Sequence, residues 1–199
     1  MARLLLLSNG HGEDLSGALL GKVLKKTGHQ VDALPLVGHG HAYSEAEIEI
    51  LGHVREFSTG GLGYTSLRGR LTELLQGQVL YLLQRLGRLL QVAHRYDLLV
   101  VIGDVIPVMA AWLSFRPVAI YLVAYSSHYE GRLRLPWPCG RCLTSRRVLG
   151  IFSRDELTAT DLTSQLQRPV SFLGNPFMDP VLTPQARLPA CRCRLGLLP

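Results

Sequence analysis

A strand-like run, Arg3 to Leu7, apolar from Leu4 onward, stops at Ser8-Asn9-Gly10-His11-Gly12-Glu13-Asp14, and helical spacing follows from Leu15 to Lys26. A strand without polar alternation has no face to give to water, so it is covered on both sides. The same alternation recurs along the chain. Strand-like runs cover 3–7, 31–37, 48–51, 98–102, 118–124, 149–152 and 170–173, and helical spacing covers 15–26, 67–96, 105–113 and 155–166. Continuous apolar strands alternating with helices imply a doubly wound, mostly parallel α/β sheet of Rossmann-like type. The 199 residues suit one well-buried domain. The pattern holds across 1–180. Residues 181–199, "LTPQ…LGLLP" after Val181, lose all periodicity and are expected to be an irregular tail, the truncated start of a second domain.

Composition narrows the partners. The formal charge of +6 favours anionic ones, such as phosphorylated small molecules, anionic lipid or nucleic acid, without choosing among them. No secretory leader is expected, since only Arg3 precedes the first apolar run. The longest apolar region, Leu98 to Ala124, is cut by Asp104, Pro107 and Arg116-Pro117, so no membrane span is expected. Cys139-x-x-Cys142 and Cys191-x-Cys193 can be drawn as a four-thiolate zinc site, but the second pair lies in the tail. Reduced, non-ligating thiols are the reading adopted, and no metal is expected.

In an open parallel sheet, ligands bind beyond the carboxyl ends of the strands. The loop after the first strand feeds a helix N-terminus, where free N–H groups and the dipole favour an anion or a sugar hydroxyl. Gly10, His11, Gly12, Glu13, Ser16 and Gly17 are therefore candidate binding residues, although Glu13 or Asp14 could each simply cap the helix. The spacing is not the dinucleotide fingerprint, the second strand ends without an acid, and no Walker lysine motif is present, so NAD is not expected. Asp104 directly follows the strand 98–102 and can act as a general base if burial raises its proton affinity, or serve as a helix cap. Ser126, Ser127 and His128 follow the strand 118–124 on the same rim, although a lone histidine is more often structural. Arg132, Arg134, Arg141, Arg146 and Arg147, interleaved with proline, tryptophan and leucine, suit a solvated face or a surface meeting phosphate or a membrane. The leucines of 67–96, with Arg68, Arg70, Arg85, Arg88 and Arg95 beside them, are read mainly as core, with a membrane-facing patch as the alternative.

Four segments occur in the order of a known family. They are "GEDLSG" at 12–17, "IGDVIPV" at 102–108, "YLVAYSSHYEG" at 121–131 and "FLGNPFMDP" at 172–180. With them the chain resembles the N-terminal half of the cyanobacterial type of lipid-A-disaccharide synthase-related glycosyltransferase. The first segment has one extra residue and lacks the family's final aspartate; the second lacks the family's second aspartate; the third lacks its proline.

The resemblance implies the N-terminal domain of a GT-B architecture. It implies metal-independent, inverting hexosyl transfer from a UDP-sugar to a membrane-associated glycolipid, with no resident cofactor and no nucleic acid. It implies Asp104 as base and Asn175 among the binding residues. The place of action it implies is the cytoplasm, peripheral at the inner face of a membrane. The second domain of such enzymes holds most nucleotide contacts, so this chain is expected to be inactive alone. The alternative is a non-catalytic Rossmann-like module that binds an anionic small molecule or lipid. A UDP-sugar epimerase of the same architecture fits the motif order less well.

Overall fold

The computed structural model describes residues 1–52, 77–133 and 135–176. Seven strands form one sheet in the order β3-β2-β1-β4-β5-β6-β7, and every described pairing is parallel. The strands are β1 (Arg3–Ser8), β2 (Gln30–Pro35), β3 (Glu49–Ile50), β4 (Leu98–Ile102), β5 (Val118–Leu122), β6 (Val148–Ser153) and β7 (Ser171–Phe172). The helices are α1 (His11–Lys26), α2 (His41–Glu45), α3 (Gln78–Val92), α4 (Val105–Leu113), α5 (Ser127–Glu130), α6 (Cys139–Leu143) and α7 (Glu156–Leu166), with a 3-10 turn at Ala93–Arg95.

The two faces of β1 explain its composition. Leu4 and Leu6 pack with Ala18, Val31, Ala33, Tyr43 and Ile48 under α1 and α2. Leu5 and Leu7 pack with Leu34, Leu89, Leu99, Val108 and Leu143 under α3, α4 and α6. A polar residue at any of these positions would lose water on either face.

The elements differ from expectation in ways that bear on the site. Helix α1 starts at His11 rather than Leu15. The polar residues His11 to Asp14 are its first turn, where acids complement the helix dipole. The short helices α2, α5 and α6 are too brief to leave a periodic signal. Of the helical stretch 67–96, the described part is Gln78–Val92 with its 3-10 extension. The glycine-rich loop 55–66 and the tail 181–199 lie outside the described residues, as do Cys191 and Cys193. Among the described residues no helix is long and apolar enough to cross a membrane.

Arg85 shows that one of the arginines beside the leucines of α3 belongs to the interior. It is buried. Its Nε and Nη2 donate to the Pro35 carbonyl at 3.1 and 2.6 Å, and Nη1 donates to the Leu51 carbonyl at 2.9 Å. The guanidinium thus ties the ends of β2 and β3 to α3, and burial lowers its proton affinity. Arg85→Leu is expected to cost about 2–4 kcal/mol, because charged hydrogen bonds are lost and two buried carbonyls are stranded. Arg85→Lys should fall between, since an ammonium lacks the planar fork. Urea unfolding of the three proteins checks the order.

Candidate functional site

The chain leaves β1 toward β2 and β3 on one side, and β4 starts the run toward β7 on the other. The switch point therefore lies between β1 and β4, and the crevice beyond their carboxyl ends is where ligands enter such sheets. Leu7 is in register with Val101, so the residues just after the two strands face each other across this crevice. They are Asn9-Gly10 on one side and Gly103-Asp104 on the other.

Gly10 is the N-cap of α1, at φ 146°, a backbone conformation that side chains rarely adopt. As a glycine it makes no side-chain cap, and the Glu13 carboxyl accepts a hydrogen bond from its own backbone N–H in the first turn. The Glu13 side chain lies over Gly103, where a Cβ would come within 3.0 Å of Glu13 Cγ. Burial lifts the Glu13 carboxyl above the usual carboxylate range, and the Asp104 charge adds to the lift.

Asp104 caps α4: its Oδ1 accepts the Ile106 N–H at 2.9 Å. Its Oδ2 accepts from Asn9 Nδ2 at 3.2 Å. Burial raises its proton affinity, and these two hydrogen bonds, with a third from its own backbone N–H, pull it back part of the way. Asp104 is therefore both a helix cap and a half-buried carboxylate in the crevice. Asn9, which motif reading passed over, is its side-chain partner; a lone asparagine in a polar loop carries no sequence signal.

Around this pair the first turn of α1 divides. His11 and Gly12 are exposed, and nothing lies within 4 Å of where a Gly12 Cβ would stand. The His11 ring lies 5.5 Å from that of His39, which lies 5.0 Å from His41, so three imidazoles lie in a row beginning at the first turn of α1. Asp14, Ser16 and Gly17 are buried. Asp14 Oδ1 accepts the Ser8 hydroxyl at 2.6 Å, Ser8 Oγ accepts the Tyr43 hydroxyl at 3.0 Å, and burial pushes the Asp14 carboxyl up to about 6. Ser16 donates to the Gly12 carbonyl at 3.1 Å, within the helix. A Cβ on Gly17 would stand 2.1 Å from the Tyr43 hydroxyl oxygen, so Gly17 makes room for Tyr43. The structure thus gives Ser16 and Gly17 packing roles beneath the crevice, where the sequence suggested residues that line it.

The loop after β5 turns toward α7. The Ser127 N–H donates to Thr158 Oγ1 at 2.8 Å and its hydroxyl to Asp161 Oδ2 at 3.2 Å. Ser126 is buried and helps hold Asp155 below the usual carboxylate range, behind the Thr158 hydrogen bonds. His128 is exposed. Asn175 is half-buried and follows Gly174, whose carbonyl accepts the Tyr121 hydroxyl at 2.7 Å. That bond ties the segment carrying Asn175 to the end of β5. The structure therefore brings Gly10, His11, Gly12, Glu13 and Asp104 together, and engages Ser126 and Ser127 with α7. Among the described residues no group of histidine, cysteine, aspartate or glutamate could hold a metal. Cys139 and Cys142 are buried free thiols, both raised by burial.

No protein-family model and no curated protein matches the chain. Solved structures do. One is Anabaena Alr3699/HepE in complex with UDP and glucose: TM-score 0.55, 15% identity, over 88% of this chain and 44% of that one. A second is UDP-GlcNAc 2-epimerase from Neisseria meningitidis bound to UDP-GlcNAc: TM-score 0.53, 20% identity, over 89% and 48%. A third is Glycyrrhiza uralensis UGT73P12 complexed with glycyrrhetinic acid 3-O-monoglucuronide: TM-score 0.54, 12% identity, over 89% and 49%. The chain spans about half the length of each of these structures. It has the Rossmann-like α/β fold of a single domain of GT-B glycosyltransferases.

Proposed function

We propose that the chain is the acceptor-side half of a lipid-A-disaccharide synthase-like GT-B enzyme. It would direct inverting transfer of a hexosyl group from a UDP-sugar to a glycolipid at a membrane surface. The observation that carries this reading is the half-buried carboxylate of Asp104 facing the N-terminus of α1, whose glycine N-cap offers no side chain, at the topological switch point. A hydroxyl of the acceptor attacks the anomeric carbon as the bond to UDP breaks, and UDP leaves with the electron pair. The hydroxyl proton goes to Asp104, whose proton affinity burial raises, as a general base needs. The free N–H groups of α1 offset negative charge on the phosphate that approaches them. Gly10 and Gly12 let the ligand come close to that backbone, with His11, Glu13 and Asn175 around it. Ser126, Ser127 and His128 flank the rim from the α5 side.

The test compares this chain with a version extended by a nucleotide-binding half, each given a UDP-hexose and a glycolipid in detergent. Transfer is expected only from the extended version. Absence of transfer from the extended version across UDP-glucose and UDP-GlcNAc would overturn the reading, and would favour a module that binds an anionic ligand without turnover.

The membrane side of the proposal has its own support. Trp137 is 82% exposed and Phe115 73% exposed, far more than core aromatics. Trp137, Met109, Trp112, Leu113, Pro138 and Arg141 line an apolar hollow of 320 Å³. The Arg147 guanidinium stacks on Trp112 and Phe115 at 5.2 and 4.5 Å, and Arg132, Arg141 and Arg146 are exposed nearby in the sequence. Tryptophan and arginine together suit an anionic bilayer surface. The chain is expected to sediment with vesicles containing phosphatidylglycerol and not with pure phosphatidylcholine. Arg141→Glu/Arg146→Glu should weaken binding more than about tenfold, at about 1 kcal/mol per charge removed and more for reversal. Equal binding to both kinds of vesicle would reject this surface.

A further inference from the structure

The Asn9–Asp104 contact carries an inference that deepens the proposed function and rests on its assignment of Asp104. We propose that Asn9 is a positioning residue that pairs with Asp104 in both of its protonation states, by a half-turn of its side-chain amide.

Asn9 is 5% exposed, and its Nδ2 donates to Asp104 Oδ2. Its other polar atom, Oδ1, is buried and has no partner among the described residues. Asp104 Oδ1 is taken by the Ile106 N–H, a cap that does not depend on the charge of the carboxyl. Oδ2 is therefore the oxygen that receives a proton. Once protonated, it would set an O–H against the Asn9 N–H, two donors face to face. Rotating the amide by half a turn brings Oδ1 to Oδ2, and the O–H then donates to it. The terminal torsion of asparagine is broad and nearly two-fold, so both orientations fit one side-chain position. Among the described residues no other group holds Oδ1 in place. The same residue thus serves the carboxylate as a donor and the carboxylic acid as an acceptor, and neither state of Asp104 is left facing a mismatched group.

The other titratable groups that face Asp104 are Glu13 on α1 and Cys139 on α6. Burial pushes the Cys139 thiol up to about 12, so it stays neutral throughout the relevant range. Burial raises the Glu13 carboxyl as well, so its titration must be separated from that of Asp104.

The experiment is an NMR titration of this chain from pH 3 to 8. It follows the Asp104 carboxyl carbon and the Asn9 side-chain amide, in the unmodified sequence and in Glu13→Gln. The Asn9 amide resonances are expected to move with the same midpoint as the Asp104 carboxyl in both proteins, and to stay flat in Asp104→Asn. Asn9→Leu removes a hydrogen bond that is stronger to the charged carboxylate than to the neutral acid, and is expected to raise the Asp104 midpoint by at least about half a unit, roughly a threefold gain in proton affinity. An amide that stays flat through the Asp104 titration overturns the proposal, and needs no variant to fold. The outcome separates from that of the enzymatic reading. Coupled titrations alongside full transfer by Asp104→Asn in the extended enzyme would remove Asp104 as base and leave the pairing intact. A flat amide alongside lost transfer would remove only the pairing.

Discussion

Asp104→Asn in a version carrying both halves is expected to lower hexosyl transfer by about 100- to 10,000-fold, the usual range for removing a general base. The fold should survive, because asparagine is also a strong N-cap and its side-chain oxygen can keep the Ile106 N–H. Its amide can also meet Asn9, whose buried Oδ1 becomes the acceptor. Loss of activity without loss of stability is therefore the signature expected of this residue. The sign of the pH dependence follows from its environment. Burial raises the Asp104 carboxyl above the ordinary carboxylate range, so the base form is lost at a higher pH than for a solvated aspartate. Wild-type transfer should decline as pH falls through that raised value, and the residual rate of the variant should lack this limb. Stopped assays of released UDP between pH 4 and 9, with circular dichroism on both proteins, check the pair of claims. Transfer by the variant within threefold of wild type would rule out Asp104 as base.

The sequence exposed some of this arrangement and hid the rest, for physical reasons. Asp104 stood out because an acid directly after a fully apolar strand can only lie on the rim of the sheet. The doubly wound order was legible because Leu4 to Leu7 leave water no face, and the structure puts them in two cores on opposite sides. The fate of Ser16 and Gly17 was not legible. Tyr43, which fills the space over Gly17, comes from a helix too short to show periodicity. Arg85 shared its spacing with solvated arginines, and nothing local reveals that the carbonyls of Pro35 and Leu51 wait above it. Ser126 and Ser127 follow β5, and their partners Asp155, Thr158 and Asp161 come from α7 and its N-cap, which no local pattern announces. Local patterns report which face of an element is buried. They do not report which distant side chain arrives there.

Gly17 and Gly12 therefore make a sharp contrast, and Gly17→Ala should be among the most damaging single-methyl changes in the chain. The added Cβ would meet the Tyr43 hydroxyl oxygen at 2.1 Å and its ring carbon Cζ at 2.9 Å. Neither can yield cheaply: Tyr43 is fully buried, and its hydroxyl donates into the Ser8–Asp14 hydrogen bonds. Either α1 moves off the sheet or Tyr43 leaves its socket and strands that chain. Overpacking and broken buried hydrogen bonds together give an expected loss of about 2–4 kcal/mol. That is a fall in melting temperature of more than about 5 °C for a domain of this size. Gly12→Ala, one turn earlier on the same helix, meets nothing within 4 Å. It should be neutral or raise stability by up to about 1 kcal/mol, since alanine favours the helical backbone over glycine. Tyr43→Phe supplies the control. It removes the nearest clashing atom, so Gly17→Ala should cost less in that background than in the wild type, and thermal unfolding of the four proteins measures the difference. Equal costs in both backgrounds would mean that the helix, not the tyrosine, absorbs the added methyl group. The buried Tyr43–Ser8–Asp14 chain would then not be what fixes α1 and its N-terminus against the crevice.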